Sequence, residues 1–125
     1  MATGGRKSQL QVVHEISQAF GAASPASGVL GVLPAGAIAG TAHLAVATAF
    51  NSTTNTLALG TTVGGAQILA ATDTKTVART DTAVAIANKG PYAVDTPIYW
   101  TLALTGGVPT VGAVVAWLDY LPGVG

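Results

Sequence analysis

The chain contains no cysteine among its 125 residues. This absence excludes a disulfide-stapled scaffold, a thiolate metal site and a cysteine nucleophile. Charged side chains are also scarce: Asp, Glu, Lys and Arg make up 8% of the chain, against about 25% in an ordinary soluble domain. The five basic and five acidic residues cancel in formal charge. Composition therefore predicts no binding to nucleic acid and no binding to an anionic membrane.

Bulky side chains are few as well, because aromatic residues make up 6% of the chain and methionine occurs once. The length fits a single domain whose core is built mainly from small aliphatic side chains. A monomer with so little charge and a formal net charge of zero is poorly soluble, because net charge keeps folded proteins apart. We therefore expect the chain to cover part of its surface as a subunit of a larger assembly.

The sequence has no run that fits a membrane span. A spanning helix needs about 20 apolar residues. The longest mostly non-polar stretch, residues 28–50, contains Pro34, His43 and four glycines. No cluster of Lys or Arg flanks it to set an orientation. We expect no membrane association.

Short apolar or alternating stretches, separated by turn residues, indicate β-strands along most of the chain. Alternation with a period of two is clear in residues 10–16 and 111–120, where successive side chains point to opposite faces. Both faces of the last segment are apolar, which is typical of a strand buried between two layers. The predicted strands and short runs are 10–16, 29–33, 37–50, 56–60, 67–70, 76–87, 97–104 and 111–120.

This pattern predicts an all-β fold, an antiparallel β-sandwich. Residues 1–9 form a polar, extended N-terminal arm, and residues 10–125 form a single β-sandwich domain. In the longest predicted strand, the period of two places Ile38 and Ala42 on one face and His43 on the other.

Constellations for metal binding or nucleophilic catalysis are absent from the sequence. His14 and His43 fall on different predicted strands without ligand-spaced partners, so we expect each to be half-buried or at an interface. No serine lies in a Gly-x-Ser-x-Gly turn with a base and an orienting acid. We expect no metal, no cofactor and no enzymatic activity.

Two carboxylates, Asp73 and Asp81, flank the basic residues Lys75 and Arg79. Paired carboxylates at a suitable separation could serve glycoside hydrolysis. A strip of solvated or intersubunit salt bridges explains the same spacing without any chemistry, and we favour that interpretation.

Five aromatic residues in the last third of the chain allow two interpretations. Aromatic rings stack on sugars, so these residues could form a carbohydrate-binding platform. Aromatic residues of terminal strands more often anchor a core or an interface, which we favour. The residues concerned are Tyr92, Tyr99, Trp100, Trp117 and Tyr120.

Four turn and strand phrases carry a resemblance to a known family: LPAGA at 33–37, TAFN at 48–51, TLALGT at 56–61 and PTVGA at 109–113. With the aromatic-rich last strand, they resemble small virion proteins of tailed bacteriophages, and most closely the capsid decoration or cement proteins. The resemblance implies a jelly-roll-like β-sandwich seated on the outer capsid surface of the virion. It also implies that the chain binds the major capsid protein and other copies of itself, as a dimer or trimer, and clamps neighbouring capsid subunits.

Another phage component, such as a neck, tail or head-fibre protein, is the alternative, because the same fold would serve there. The N-terminal arm carries two of the five basic residues, and we expect it to reach an acidic or carbonyl-lined groove on the capsid or on a neighbouring copy. The candidate contact residues with the capsid or with other copies are Arg6, Lys7, Leu10, Tyr92, Tyr99 and Trp100.

Overall fold

The structure, a computed structural model, describes residues 14–22 and 26–122. Within these two ranges the chain consists of strands, their connections and one short 3₁₀-helix, Ile86–Asn88. None of the described residues form a helix long and apolar enough to cross a membrane. The strands are β1 (His14–Gly21), β2 (Ser27–Leu33), β3 (Ile38–Thr48), β4 (Thr54–Gly60), β5 (Leu69–Asp73), β6 (Ala78–Ala83), β7 (Thr96–Thr105) and β8 (Ala113–Leu121).

The strands form two four-stranded sheets in which every pairing is antiparallel. Sheet A has the order β1-β8-β3-β6, and sheet B has the order β2-β7-β4-β5. Consecutive strands lie in opposite sheets, except for β4 and β5, which are neighbours in sheet B. This strand order is that of an eight-stranded jelly roll. The predicted antiparallel, jelly-roll-like β-sandwich is confirmed.

Strand β8 illustrates how alternation in the sequence produces the two faces of a sheet. Val114, Ala116 and Leu118 are buried against sheet B, whereas Val115 and Trp117 point away from it. The prediction that both faces of this strand are covered was wrong for the outer one, because Val115 is 40% exposed.

The core lies between the sheets and combines many aliphatic side chains with a few aromatic rings. Phe20 on β1 and Trp100 on β7 meet edge to face, with ring centroids 4.6 Å apart. Gly28 lies opposite Trp100 on β2, and a Cβ at this position would come within 2.8 Å of the indole. The missing side chain therefore makes room for the bulkiest group of the core.

Three polar side chains, Ser52, Asn55 and Thr74, are buried near the start of β4. Thr74 Oγ1 donates a hydrogen bond to Asn55 Oδ1, and Asn55 Nδ2 donates to Ser52 Oγ at 3.3 Å. The main-chain N–H of Thr74 donates to the carbonyl of Asn55 at 3.0 Å. The polar turn predicted over residues 51–55 thus ends at Asn55, whose side-chain amide is buried in the core.

Two predicted segments differ from the structure for identifiable reasons. Strand β3 changes register with β8 between Ala39 and Ala42, so Ala39 faces the core and Ile38 is 39% exposed. Placing Ile38 on the same face as Ala42, which is 0% exposed, was therefore wrong. The strand predicted over residues 76–87 ends at Ala83, because the chain then leaves sheet A to reach β7 in sheet B.

Candidate functional site

A cluster of charged and aromatic side chains lies on the outer face of sheet A, the face turned away from sheet B. His43 on β3 pairs with Asp81 on β6 and with Trp117 on β8. Because directly opposed residues of paired strands share a face, these three side chains project together. Asp119 lies two residues after Trp117 on β8, and Arg79 lies two residues before Asp81 on β6. The His43 cluster consists of His43, Arg79, Asp81, Trp117 and Asp119.

The imidazole of His43 is held between two carboxylates. Its Nδ1 lies 2.5 Å from Asp81 Oδ1, and its Nε2 lies 2.6 Å from Asp119 Oδ2. An ionised carboxylate only accepts hydrogen bonds, so both ring nitrogens donate when both bonds form. The ring that donates from both nitrogens is the imidazolium cation. The side chain of His43 is 13% exposed, so this charge is largely shielded from solvent.

The carboxylates of Asp81 and Asp119 favour the protonated form of His43. Burial by itself lowers the pKa of His43, but the hydrogen bonds and charges of Asp81 and Asp119 outweigh it, and the pKa lies above its ordinary value. The hydrogen bond from His43, followed by that from Arg79, lowers the pKa of Asp81. With His43 protonated, the two cations and two anions of the cluster balance.

Trp117 provides the flat surface of the cluster. The indole stacks on the His43 ring with centroids 4.8 Å apart and an interplanar angle of 15°. The guanidinium carbon of Arg79 lies 5.1 Å from the indole centroid, a cation–π distance. The Arg79 Nε also donates to Asp81 Oδ1 at 3.0 Å. Aromatic, cationic and anionic groups are thus fixed side by side across three strands.

Of the salt bridges predicted within residues 73–81, the structure contains the pair of Arg79 and Asp81 but no pair of Asp73 and Lys75 side chains. Arg79 and Asp81 form an ion pair, as described above. Asp73 instead accepts a hydrogen bond from the main-chain N–H of Lys75, and the Lys75 Nζ donates to the carbonyl of Thr53. The first pair of charges therefore stabilises a turn.

The hydrogen bonds of the His43 cluster limit the proton transfers in which its imidazole can take part. Both ring nitrogens of His43 are occupied by carboxylates, so neither is free to take a proton from a substrate. Among the residues that the structure describes, no three His, Asp or Glu side chains are grouped so that they could hold a metal ion. The cluster offers stacking surface and fixed hydrogen-bonding groups.

An open cleft of about 310 Å³ adjoins the cluster, where β3 begins and β8 ends. Ile38 and Leu121, which pair across these strands, are apolar lining residues. Gly40 also lines it, and a Cβ there would lie 3.3 Å from the carbonyl oxygen of Asp119. The charged lining residues are Lys89 and Asp119. We call this feature the Lys89 cleft; its lining residues are Ile38, Ala39, Gly40, Thr41, Lys89, Asp119, Tyr120 and Leu121.

The outer face of sheet B differs sharply in charge. Strands β2, β4 and β7 contain no charged residue, and Asp73 on the edge strand β5 is the exception in this sheet. Tyr99 lies at the centre, paired with Val29 on one side and with Gly60 on the other. Val29 is 48% exposed. The sandwich therefore has one charged face and one nearly uncharged face.

The structure separates the predicted contact residues. Tyr99 lies on the outer face of sheet B. Tyr92 is partly buried against the core, and its hydroxyl donates to the carbonyl of Asn88. Trp100 is 2% exposed and belongs to the core, so its candidacy as a contact residue is corrected: the side chain packs inside the sandwich. Arg6, Lys7 and Leu10 lie outside the described residues, as does the predicted boundary of the arm.

The carbohydrate-binding platform is not formed by the aromatic residues considered for it. Trp100 is in the core, while Tyr99 and Trp117 lie on opposite outer faces of the sandwich. A planar ligand on this chain would therefore meet one of these rings at a time.

Sequence reasoning identified the members of the His43 cluster only in part. The alternation in β3 places His43 on the polar face, and Asp81 and Arg79 stood out as a charged pair. Asp119 carried a signal of its own, since it interrupts an apolar strand. What the sequence did not reveal is that β6 and β8 flank β3, which is what brings the two carboxylates to the imidazole.

The comparisons with known proteins identify structural neighbours only. No protein-family model matches the chain, and no curated protein matches it. Similar solved structures come from phage capsids. A chain of the cyanophage Pam1 capsid asymmetric unit is 18% identical with a TM-score of 0.59, and the alignment covers 90% of this chain and 85% of that chain.

Two further neighbours give the same result. A chain in the acid-stable capsid structure of Helicobacter pylori bacteriophage KHP30 is 17% identical with a TM-score of 0.62, and 89% of each chain is covered. A chain in the capsid of Ralstonia phage GP4 is 19% identical with a TM-score of 0.56, covering 92% of this chain and 86% of that chain. The likeness shows that this chain shares its fold, over nearly its whole length, with chains of similar size.

Proposed function

We propose that the chain is a structural protein of a tailed-bacteriophage virion that binds the outer capsid surface and cements neighbouring major capsid protein subunits. The observation that carries this proposal is the shared jelly-roll fold, which spans most of this chain and most of three chains found in phage capsids. A cement protein needs contact area and positioned polar groups, and it needs no reactive centre.

The surface of the sandwich supports this role. Its two broad faces differ in charge, and apolar side chains such as Val29 and Val115 are exposed on them. A stable interface buries about 1,200–2,000 Å² in total, which a sheet face with its flanking loops can supply. The scarcity of charge, which would limit the solubility of a free monomer, is tolerated in a subunit attached to a large particle.

The partners that we propose are the major capsid protein and further copies of this chain, as a dimer or a trimer. Light scattering on the purified chain measures the oligomeric state directly. A monomer at all concentrations would contradict self-association and leave the capsid contact as the assembly interface.

Copy number is the decisive measurement for the proposed function. Quantitative gel analysis of purified virions should give hundreds of copies of this chain per particle, a number that scales with the number of major capsid protein subunits. A small fixed number of copies per particle would instead place the chain in the neck, tail or head fibres.

Cementing is tested separately from location. Particles that lack the chain should release their genome at a lower temperature, or at a milder osmotic shock, than complete particles. Equal stability of the two kinds of particle would contradict the cement role even if the copy number is high.

A further inference from the structure

The Lys89 cleft is open to solvent and lies at one end of the outer face of sheet A. Ile38 and Leu121 are each 39% exposed, although they are large aliphatic side chains. A cavity of about 150 Å³ accommodates a benzene ring. The volume of about 310 Å³ thus has room for two side chains of moderate size.

Of the two charged residues that line the cleft, Asp119 has a charged partner among the described residues and Lys89 does not. Asp119 is hydrogen-bonded to His43, which neutralises it when the imidazole is protonated. Lys89 is partly buried, and its ammonium has no ion pair or side-chain hydrogen bond with residues 14–22 or 26–122. A cation without an ion-pair partner among these residues is available to a carboxylate that a binding partner brings to the cleft.

The neighbouring groups restrict the chemistry of such a partner. Asp119 lines the cleft, and Glu15 on β1 lies directly opposite Asp119 in the pairing with β8. With one cation and two acidic groups nearby, the cleft can pair with one carboxylate at Lys89, and it offers no further cation for a polyanion such as nucleic acid. A single carboxylate beside an aliphatic group fits both the isolated cation and the apolar walls.

We propose that the Lys89 cleft is a docking pocket for the major capsid protein, and that it receives an acidic side chain, paired with Lys89, together with an adjacent aliphatic side chain packed between Ile38 and Leu121. This inference rests on the proposed function and names the part of the surface that would carry it. A pocket of this kind acts as the anchor of an interface, since buried anchors surrounded by weaker contacts dominate binding.

The test measures binding of the full-length purified chain to phage particles assembled without it, by co-sedimentation over a range of concentrations. Lys89→Glu reverses the charge in the cleft, and Lys75→Glu makes the same change at a distant turn. We expect Lys89→Glu to weaken binding about tenfold or more, because it places two carboxylates against each other, while Lys75→Glu stays within about twofold of the wild type.

A second pair of variants separates the charge from the apolar walls. Lys89→Met keeps the length of the side chain and removes its charge, and its loss of affinity should shrink at high salt, where the wild-type ion pair is screened. Ile38→Thr keeps the β-branched shape but removes apolar surface, and its loss should persist at high salt. Circular dichroism and thermal unfolding establish that each variant is folded before its binding is compared.

The outcomes distinguish the two proposals. If the wild-type chain binds particles and the Lys89 variants bind equally well, the docking pocket is wrong and the proposed function stands. If Lys75→Glu weakens binding as much as Lys89→Glu, the effect belongs to overall charge and the pocket is again wrong. If the wild-type chain does not bind particles, the proposed function and the pocket are both overturned.

Discussion

Thr74 Oγ1 donates a hydrogen bond of 2.7 Å to Asn55 Oδ1 in the interior of the sandwich. The two side chains are 0% and 1% exposed, and they join the turn after β5 to the start of β4. The carbonyl of Thr74 also accepts a hydrogen bond from the main-chain N–H of Phe50 at 3.1 Å. This contact fixes the connection between the two sheets at the β3–β4 end.

Replacing Thr74 with valine should destabilise the chain by about 1–3 kcal/mol, because the buried oxygen of Asn55 loses its donor. The free energy of unfolding, measured with urea, tests this expectation. Thr76→Val, at an exposed position two residues away, is the matched control and should change stability by less than about 0.5 kcal/mol. Equal effects of the two variants would contradict an interior role for the Thr74 hydroxyl.

Gly28→Ala should cost about 1–3 kcal/mol, because the new methyl group overlaps the indole of Trp100 and forces the ring to move. Gly21→Ala is the comparison, since a Cβ there meets its nearest atom, the carbonyl of Gly112, at an ordinary 3.7 Å. Near-ultraviolet circular dichroism should report a changed tryptophan environment in the first variant only. If Gly28→Ala is as stable as the wild type, the packing around Trp100 is looser than described.

Stability should depend on pH through the His43 cluster. The pKa of His43 is raised from 6.5, so its contribution is fully present below about pH 6.5 and is lost as pH rises through the folded-state pKa. The pKa of Asp81 is lowered from 3.8, so its contribution is present above that value and is lost as pH falls through the folded-state pKa. The cluster therefore stabilises the sandwich most between about pH 4 and pH 6.5.

The measurement is the unfolding free energy as a function of pH for the wild type and for His43→Gln. The difference between them should be largest in the mildly acidic range and should diminish in alkaline solution. His14→Gln, at an exposed position on β1 outside the cluster, is the matched control and should change the unfolding free energy little. A constant difference at all pH values would show that His43 contributes by packing alone. An NMR titration of His43 measures its pKa directly.

The N-terminal arm should contribute to capsid binding. Fixing the backbone of a segment on binding costs about 1–2 kcal/mol per residue, so an arm that docks must make extensive contacts. Deleting residues 1–8, which include Arg6 and Lys7, should weaken binding to particles far more than deleting residues 123–125. Equal binding by the two shortened chains would contradict a docking role for the arm.

The parts of the fold that were predictable are those encoded by local alternation. Strand β8 could be located because it is a run of mainly apolar and β-branched residues, and β7 because its aromatic and β-branched residues lie between turn signals. The face of Ile38 was predicted wrongly, because a register shift moves side chains to the other face and the hydrophobic pattern does not show it.

The candidate site was harder to predict because its geometry is non-local. His43 and Asp119 are 76 positions apart, and only the insertion of β8 beside β3 brings them into hydrogen-bonding distance. The Lys89 cleft likewise depends on the register shift in β3 and on the path of the chain after the 3₁₀-helix. Composition indicated a protein that works through its surface, and the topology identifies which surface groups meet.

The pairing of β1 with β8 determines where labels can be placed on this chain. His14 lies opposite Tyr120, so β1 begins and β8 ends at the end of the sandwich that holds the Lys89 cleft. A bulky label attached at His14 or Tyr120 would therefore lie at the same end as the proposed pocket and compete with docking. The β7–β8 turn enters β8 at its other end, and a Cβ at Gly107 would meet open space. A reporter or displayed peptide inserted there would project from the opposite end of the sandwich and leave the pocket free.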